Sequence, residues 1–201
     1  MRSTSAFLLS GAFAALAILV AAGACTGLDQ WAVDRQMPGG AFTTNEASLV
    51  AALVPLYHTH WHDAWSVAVN VVTLPASFAI ALPLVAWRSG RLAVALVAAT
   101  AVETLCKHLL TRPALHNGAL HVVGVDDSFP SGHTIRAVLV LGAFAHPLTT
   151  LWAVASIVLL QLAGWHTPTD IAGGVLLGLL ALLLGGGARA LGARRLARGR
   201  A

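Results

Sequence analysis

Charge is scarce in this chain. Asp, Glu, Lys and Arg make up 10% of its 201 residues, whereas hydrophobic residues make up 57%. Soluble domains run near a quarter charged, so the shortage excludes an ordinary soluble domain and points to a membrane protein. Cysteine is nearly absent too, with two residues. Cys25 falls at the outer surface and Cys106 inside an apolar segment, too far apart in depth for a disulfide. Neither has the neighbours of a reactive thiolate or a metal quartet. Internal repeats, low-complexity segments and interdomain linkers are also missing, so residues 1–201 read as one domain.

What is present in abundance is apolar sequence. A membrane-spanning helix takes about 20 residues. Such segments can be read at 6–24, 64–87, 92–110, 149–165 and 169–187, with a shorter sixth at 132–146. The expected fold is therefore all-α, a six-transmembrane helix bundle. Ala22, Gly23 and Ala24 before Cys25 resemble a signal-peptidase site, but the apolar stretch ahead of them exceeds the usual 7 to 15 residue signal core and reads as a span. Positive residues near span ends mark the cytoplasmic side. Threading six spans puts Arg2, Arg88, Arg91, Arg189, Arg194, Arg195, Arg198 and Arg200 on that side. Asp29, Asp34, Glu46, Asp63, Asp126 and Asp127 fall opposite. The basic tail, about residues 188–201, reads as an end facing lipid headgroups and not as a nucleic-acid arm.

Between the spans, Pro38, Gly39 and Gly40 break the chain. From Thr44 or Asn45 onward, apolar residues at helical spacing predict a short amphipathic helix on the outer surface. HTHWH at 58–62 reads as interfacial His and Trp anchoring, because alternate positions share a face only in a strand and Asp63 is the one carboxylate beside it. The longest polar interruption, residues 111–132, lies on the outer face and is flanked by Lys107, Arg112, His133 and Arg136. Loops of that length are more often functional than idle.

Two stretches carry chemistry. In SFPSGHTIRA (128–137), Ser131 and Gly132 open an apolar run at His133, and a helix start rich in free N–H groups is an anion site. In GWHTPTDIAGG (164–174), Asp170 follows His166 by four residues and can fix its tautomer, leaving the other ring nitrogen free as nucleophile or base. Thr167 as N-cap, Pro168 at the first helical position and Asp170 at the third also make a good helix start. Arg136 lies three residues into its span, where a charge is costly unless paired. Glu103, one turn deeper than Lys107, shares Arg136's level when the third span runs outward and the fourth inward, so the two are expected to pair under the pocket.

PSGH followed by His-x3-Asp, with Lys-x4-Arg-Pro upstream and six spans, resembles the type 2 phosphatidic acid phosphatase family of the superfamily that includes vanadium haloperoxidases. The resemblance covers most of the chain. It implies that His166 attacks phosphorus and becomes a phosphohistidine, that Asp170 orients it, and that His133 protonates the leaving oxygen. It also implies that Ser131 and the Gly132 backbone hold phosphate oxygens, with Lys107 and Arg112 offsetting their charge, and that no metal or other cofactor takes part. The substrate would be a lipid phosphate or diphosphate, of an isoprenoid carrier or a glycerolipid, bound on the extracytoplasmic face of the cell membrane. The partners are then that substrate and membrane lipids. Two positions depart from the family. Ala114 and Leu115 stand where its Arg-Pro pair belongs, and Leu159 and Leu160 stand where its third motif opens with Ser-Arg. Arg136 is expected to replace part of that charge. A non-catalytic lipid-phosphate-binding relative, or a small transporter, would leave much of the same pattern.

Overall fold

A computed structural model describes residues 2–36, 68–117, 120–121, 127–162 and 165–186. The outer-surface helix expected after Thr44, the HTHWH stretch and the basic tail lie outside the described residues. Seven helices carry the architecture: α1 (Arg2–Ala21), α2 (Thr26–Gln36), α3 (Phe78–Arg88), α4 (Gly90–Leu109), α5 (Gly132–Phe144), α6 (Pro147–Leu162) and α7 (Pro168–Leu184). A helical stretch over 68–73 leads through a 3-10 turn at Leu74–Ala76 into α3. Among the described residues the β structure is a two-residue antiparallel ladder pairing His116 with His121 and Asn117 with Leu120.

Among the described residues three helical segments are long and apolar enough to cross a membrane: Ser3–Ala21, Ala68–Arg88 and Gly90–Leu109. The other three apolar helices have 13, 16 and 17 residues, which at 1.5 Å per residue is short of a hydrocarbon core of about 30 Å. Local chemistry sets where two of them start. Ser131 caps α5, accepting the Thr134 amide at 3.3 Å, and Pro147 opens α6. The expected second span is broken because Pro75 offers no N–H to the helical ladder. Carbonyls at that break are taken by side chains from elsewhere: Trp152 of α6 donates to Val72 at 2.6 Å, and Arg136 donates to Ala76 at 2.6 Å.

Helix α2 was not legible as an element in the sequence. Its Asp29, Ala32 and Val33 are buried at helical spacing, while Leu28 and Trp31 face outward.

The core joins α3, α4, α5 and α7 through buried Val85, Leu96, Ile135, Leu139 and Leu177. Helices α5 and α7 approach most closely because Gly174 and Gly178 leave room. A Cβ on Gly174 would lie 2.6 Å from the Ser131 carbonyl oxygen, and one on Gly178 would lie 2.9 Å from Val138 Cβ. This is the small-x3-small packing that membrane helices use where hydrophobic burial gives no drive to associate. Its consequence is positional: the first turn of α7 is held against the start of α5, and the Ser131 amide donates to the Asp170 carbonyl at 2.9 Å.

The bundle has two distinguishable ends. At one, Ser89 links α3 to α4 and Ala145–His146 links α5 to α6, and Arg88 Nε donates to the Ala143 carbonyl at 3.3 Å, tying the two turns together. At the other end are α2, the C-terminus of α4, the start of α5 and the start of α7.

Candidate functional site

The second end gathers every side chain that the sequence singled out for chemistry. Helix α7 starts as expected: Thr167 accepts the Asp170 amide at 3.4 Å, and Asp170 Oδ2 accepts the Thr167 amide at 2.8 Å. This reciprocal cap fixes the carboxylate and the backbone just after His166. The rings of His133 and His166 stand 6.2 Å apart, centroid to centroid, and Trp165 meets His133 edge-on at 6.3 Å. His166 Nδ1 lies 3.7 Å from Asp170 Oδ2. That is near enough for electrostatic attraction but longer than a hydrogen bond, and Nδ1 has no hydrogen-bond partner among the described residues. Its other ring nitrogen is Nε2.

Asp170 is fully buried and held from several sides. Arg112 Nη2 and the Ser128 hydroxyl both donate to it. The guanidinium also donates through Nη1 to Asp29 Oδ2 at 3.2 Å and to Thr167 Oγ1 at 3.1 Å, and through Nη2 to Ser128 at 3.1 Å. Its side chain is 3% exposed and lies between two carboxylates, and its Nε has no hydrogen-bond partner among the described residues. Asp29 in turn accepts from the Thr169 hydroxyl at 2.6 Å and the Thr169 amide at 3.2 Å. Burial pushes the Asp29 carboxyl above its ordinary value, against the opposing pull of the Thr169 hydroxyl and Arg112.

A second charged group lies across the site. Glu103 accepts from Lys107 through Oε1 at 2.8 Å and from Arg136 through Oε2 at 3.0 Å. The expected Glu103–Arg136 pairing is therefore present, and Glu103 pairs with Lys107 as well. Lys107 remains 32% exposed, against 10% for Arg136, and is the more accessible of the two cations on Glu103. Gly132 lies against this group, and a Cβ there would fall 2.0 Å from Glu103 Oε1 and 2.5 Å from Arg136 Nη2. Ser131 is fully buried, its hydroxyl accepting from Thr134 Oγ1 at 3.0 Å besides capping α5. Leu160 is buried in the apolar interior.

Asp29 and Ser128 are the members that sequence reasoning missed. Asp29 lies 83 residues from Arg112 and 140 from Thr169, so no local spacing announces it. Ser128 adjoins the Pro130–His133 turn, and its hydroxyl beside Phe129–Pro130 was the available signal.

An apolar groove of about 540 Å³ between α4 and α7 is lined by Val94, Ala98, Leu177 and Leu184, with Arg91 at its rim, and holds none of these groups. Among the described residues no cluster of three or more His, Cys, Asp or Glu is disposed to hold a metal ion. No family model matches the chain, and no curated protein or solved structure matches it.

Proposed function

We propose that the chain is an integral-membrane lipid phosphatase, working through a phosphohistidine at the outer end of a six-span bundle, in the manner of the type 2 phosphatidic acid phosphatases that its motifs resemble. The observation that carries the reading is the meeting of two histidines from separate helices, their rings 6.2 Å apart, with a buried carboxylate behind one of them. That is the disposition a nucleophile, its orienting group and a proton donor need around one phosphorus.

In the first step His166 Nε2 gives its lone pair to phosphorus while the bond from phosphorus to the lipid oxygen breaks. The departing oxygen keeps that electron pair and takes a proton from His133. As the ring gains positive charge, Asp170 stabilises it at close range. In the second step His133 takes a proton from water, the water oxygen bonds to phosphorus, and the N–P bond breaks, returning the lone pair to His166 and releasing inorganic phosphate. Lys107 and the N-terminus of α5 offset the charge on the phosphoryl oxygens. Phosphoryl transfer asks chiefly for such positioning and charge stabilisation. Arg136 and Glu103 form the floor beneath.

Spans as short as α5 suit an outer end recessed to headgroup level, where a lipid phosphate arrives with its tail still in the bilayer. Both termini are then cytoplasmic and the site extracytoplasmic, as the arginine distribution favours. The test is phosphate release from a short-chain lipid phosphate by the purified protein. Turnover that survives EDTA, is blocked by vanadate and is abolished by His166→Ala supports the mechanism. Loss on chelation, restored by a divalent ion, contradicts it.

A further inference from the structure

Arg112 bridges two carboxylates, and they do different things. Asp170 faces His166, whereas Asp29 comes from α2, outside every stretch to which the sequence gave a chemical role. Its side chain reaches the first turn of α7 by two routes. One runs through Arg112, whose Nη1 it holds at 3.2 Å while Nη2 of the same planar fork holds Asp170. The other is direct, because Asp29 accepts both the hydroxyl and the amide of Thr169, the residue next to Asp170. A guanidinium presents its donors in a rigid fork, so fixing one end fixes the other.

Charge sharpens the point. Two buried carboxylates face one guanidinium, so the cluster carries one negative charge in excess when both are ionised. A cationic ring at His166, 3.7 Å from Asp170, adds a positive charge beside this cluster, and such a ring forms as the N–P bond is made.

We infer that Asp29 is a positioning residue for the reaction: it sets the Arg112–Asp170 pair behind His166 and supplies the second negative charge that favours the transition state. The inference rests on the phosphatase reading of the same site.

Asp29→Asn is the informative change, because the side chain keeps its shape and its acceptor for the Thr169 amide, while Arg112 stays paired one to one with Asp170. The assay is hydrolysis of a short-chain diacylglycerol phosphate in detergent micelles by the full chain, with kcat and KM resolved and the thermal midpoint recorded. Asp29→Asn is expected to lower kcat by about 10- to 100-fold, the range known for partners one step behind metal ligands, with KM within about twofold and a smaller fall in the midpoint from the amide Nδ2 that then faces Arg112 Nη1. Thr169→Val, which removes the 2.6 Å hydroxyl contact but keeps the charge, is expected to lower kcat by a smaller factor and guards against a folding failure of the first variant. Unchanged kcat in Asp29→Asn overturns the inference, as does a fall in kcat that only tracks a fall in the midpoint in both variants. Absence of phosphate release by the wild type overturns the phosphatase reading itself, so the two failures are told apart.

Discussion

Removing Glu103 isolates the energetics of the charged floor. In Glu103→Leu, Arg136 loses its 3.0 Å partner and keeps the Ala76 carbonyl, with its side chain 10% exposed. Lys107, 32% exposed, turns to water at little cost. Breaking one half of a buried ion pair costs about 3–5 kcal/mol, because the remaining charge is left uncompensated. For a chain of this size each kcal/mol moves the thermal midpoint by about 2–4 °C, so the midpoint should fall by about 6–20 °C. The double variant Glu103→Leu with Arg136→Leu removes both charges and should recover most of the loss, since a well-packed apolar pair is often as stable as the buried ion pair it replaces. Arg136→Leu alone leaves Glu103 on Lys107 and should cost less than Glu103→Leu. The assay is thermal unfolding in detergent of the wild type, both single variants and the double, combined as a double-mutant cycle. An ordinary interhelical hydrogen bond in a membrane protein contributes about 0.6 kcal/mol on average. A coupling below about 1 kcal/mol, with the two single losses simply adding, would refute the view that Glu103 and Arg136 act as a buried ion pair.

Three further outcomes are expected. Three cations, Lys107, Arg112 and Arg136, face three carboxylates, Asp29, Glu103 and Asp170, and the sequence has no Lys or Arg within 37–67 or 113–126. A lipid phosphate monoester should therefore be cleaved at least about tenfold more efficiently than the corresponding diphosphate, whose added charge lacks a partner; kcat/KM for the matched pair checks it. Burial raises the folded-state pKa of Asp29 above its unfolded value, so its ionisation opposes folding. That contribution is favourable below the unfolded value and is lost as pH rises through the folded one, so in thermal unfolding Asp29→Asn should lose stability more steeply on acidification than the wild type does. Cysteines introduced at Asp127 and Arg91 in a Cys25→Ser/Cys106→Ser background should react with an impermeant reagent from opposite sides of the membrane; reaction from the same side contradicts the threading.

Local signals made part of this molecule legible from sequence. The Thr167-Pro168-Thr169-Asp170 start of α7 and the Ser131 cap of α5 follow from side chains that bond backbone groups within three residues, and such signals survive any tertiary arrangement. The meeting of Glu103 and Arg136 could be argued from depth alone, because both lie about one turn below the end of helices running in opposite directions. Other features were hidden for physical reasons. Asp29 reads in sequence as one more acid on the outer side, since its partners lie 83 and 140 residues away. That Arg112 would bridge two carboxylates was equally hidden, since Asp29 and Asp170 lie 83 and 58 residues from it. The expected second span ran unbroken through Pro75, and nothing local announces that Arg136 takes the carbonyl of Ala76 next to it. Helix α2 escaped notice because its inner face includes a charged residue, which disguises the apolar stripe of Ala32 and Val33.

The central claim is that phosphate passes through His166, and trapping the intermediate tests it most directly. Purified protein mixed with a short-chain lipid phosphate, quenched in base to preserve phosphoramidates and digested for peptide mapping, should carry phosphate on the peptide containing His166. The His166→Ala protein should carry none and release no phosphate. Phosphate release by the wild type without phosphorylated His166, or undiminished release by His166→Ala, would contradict the account.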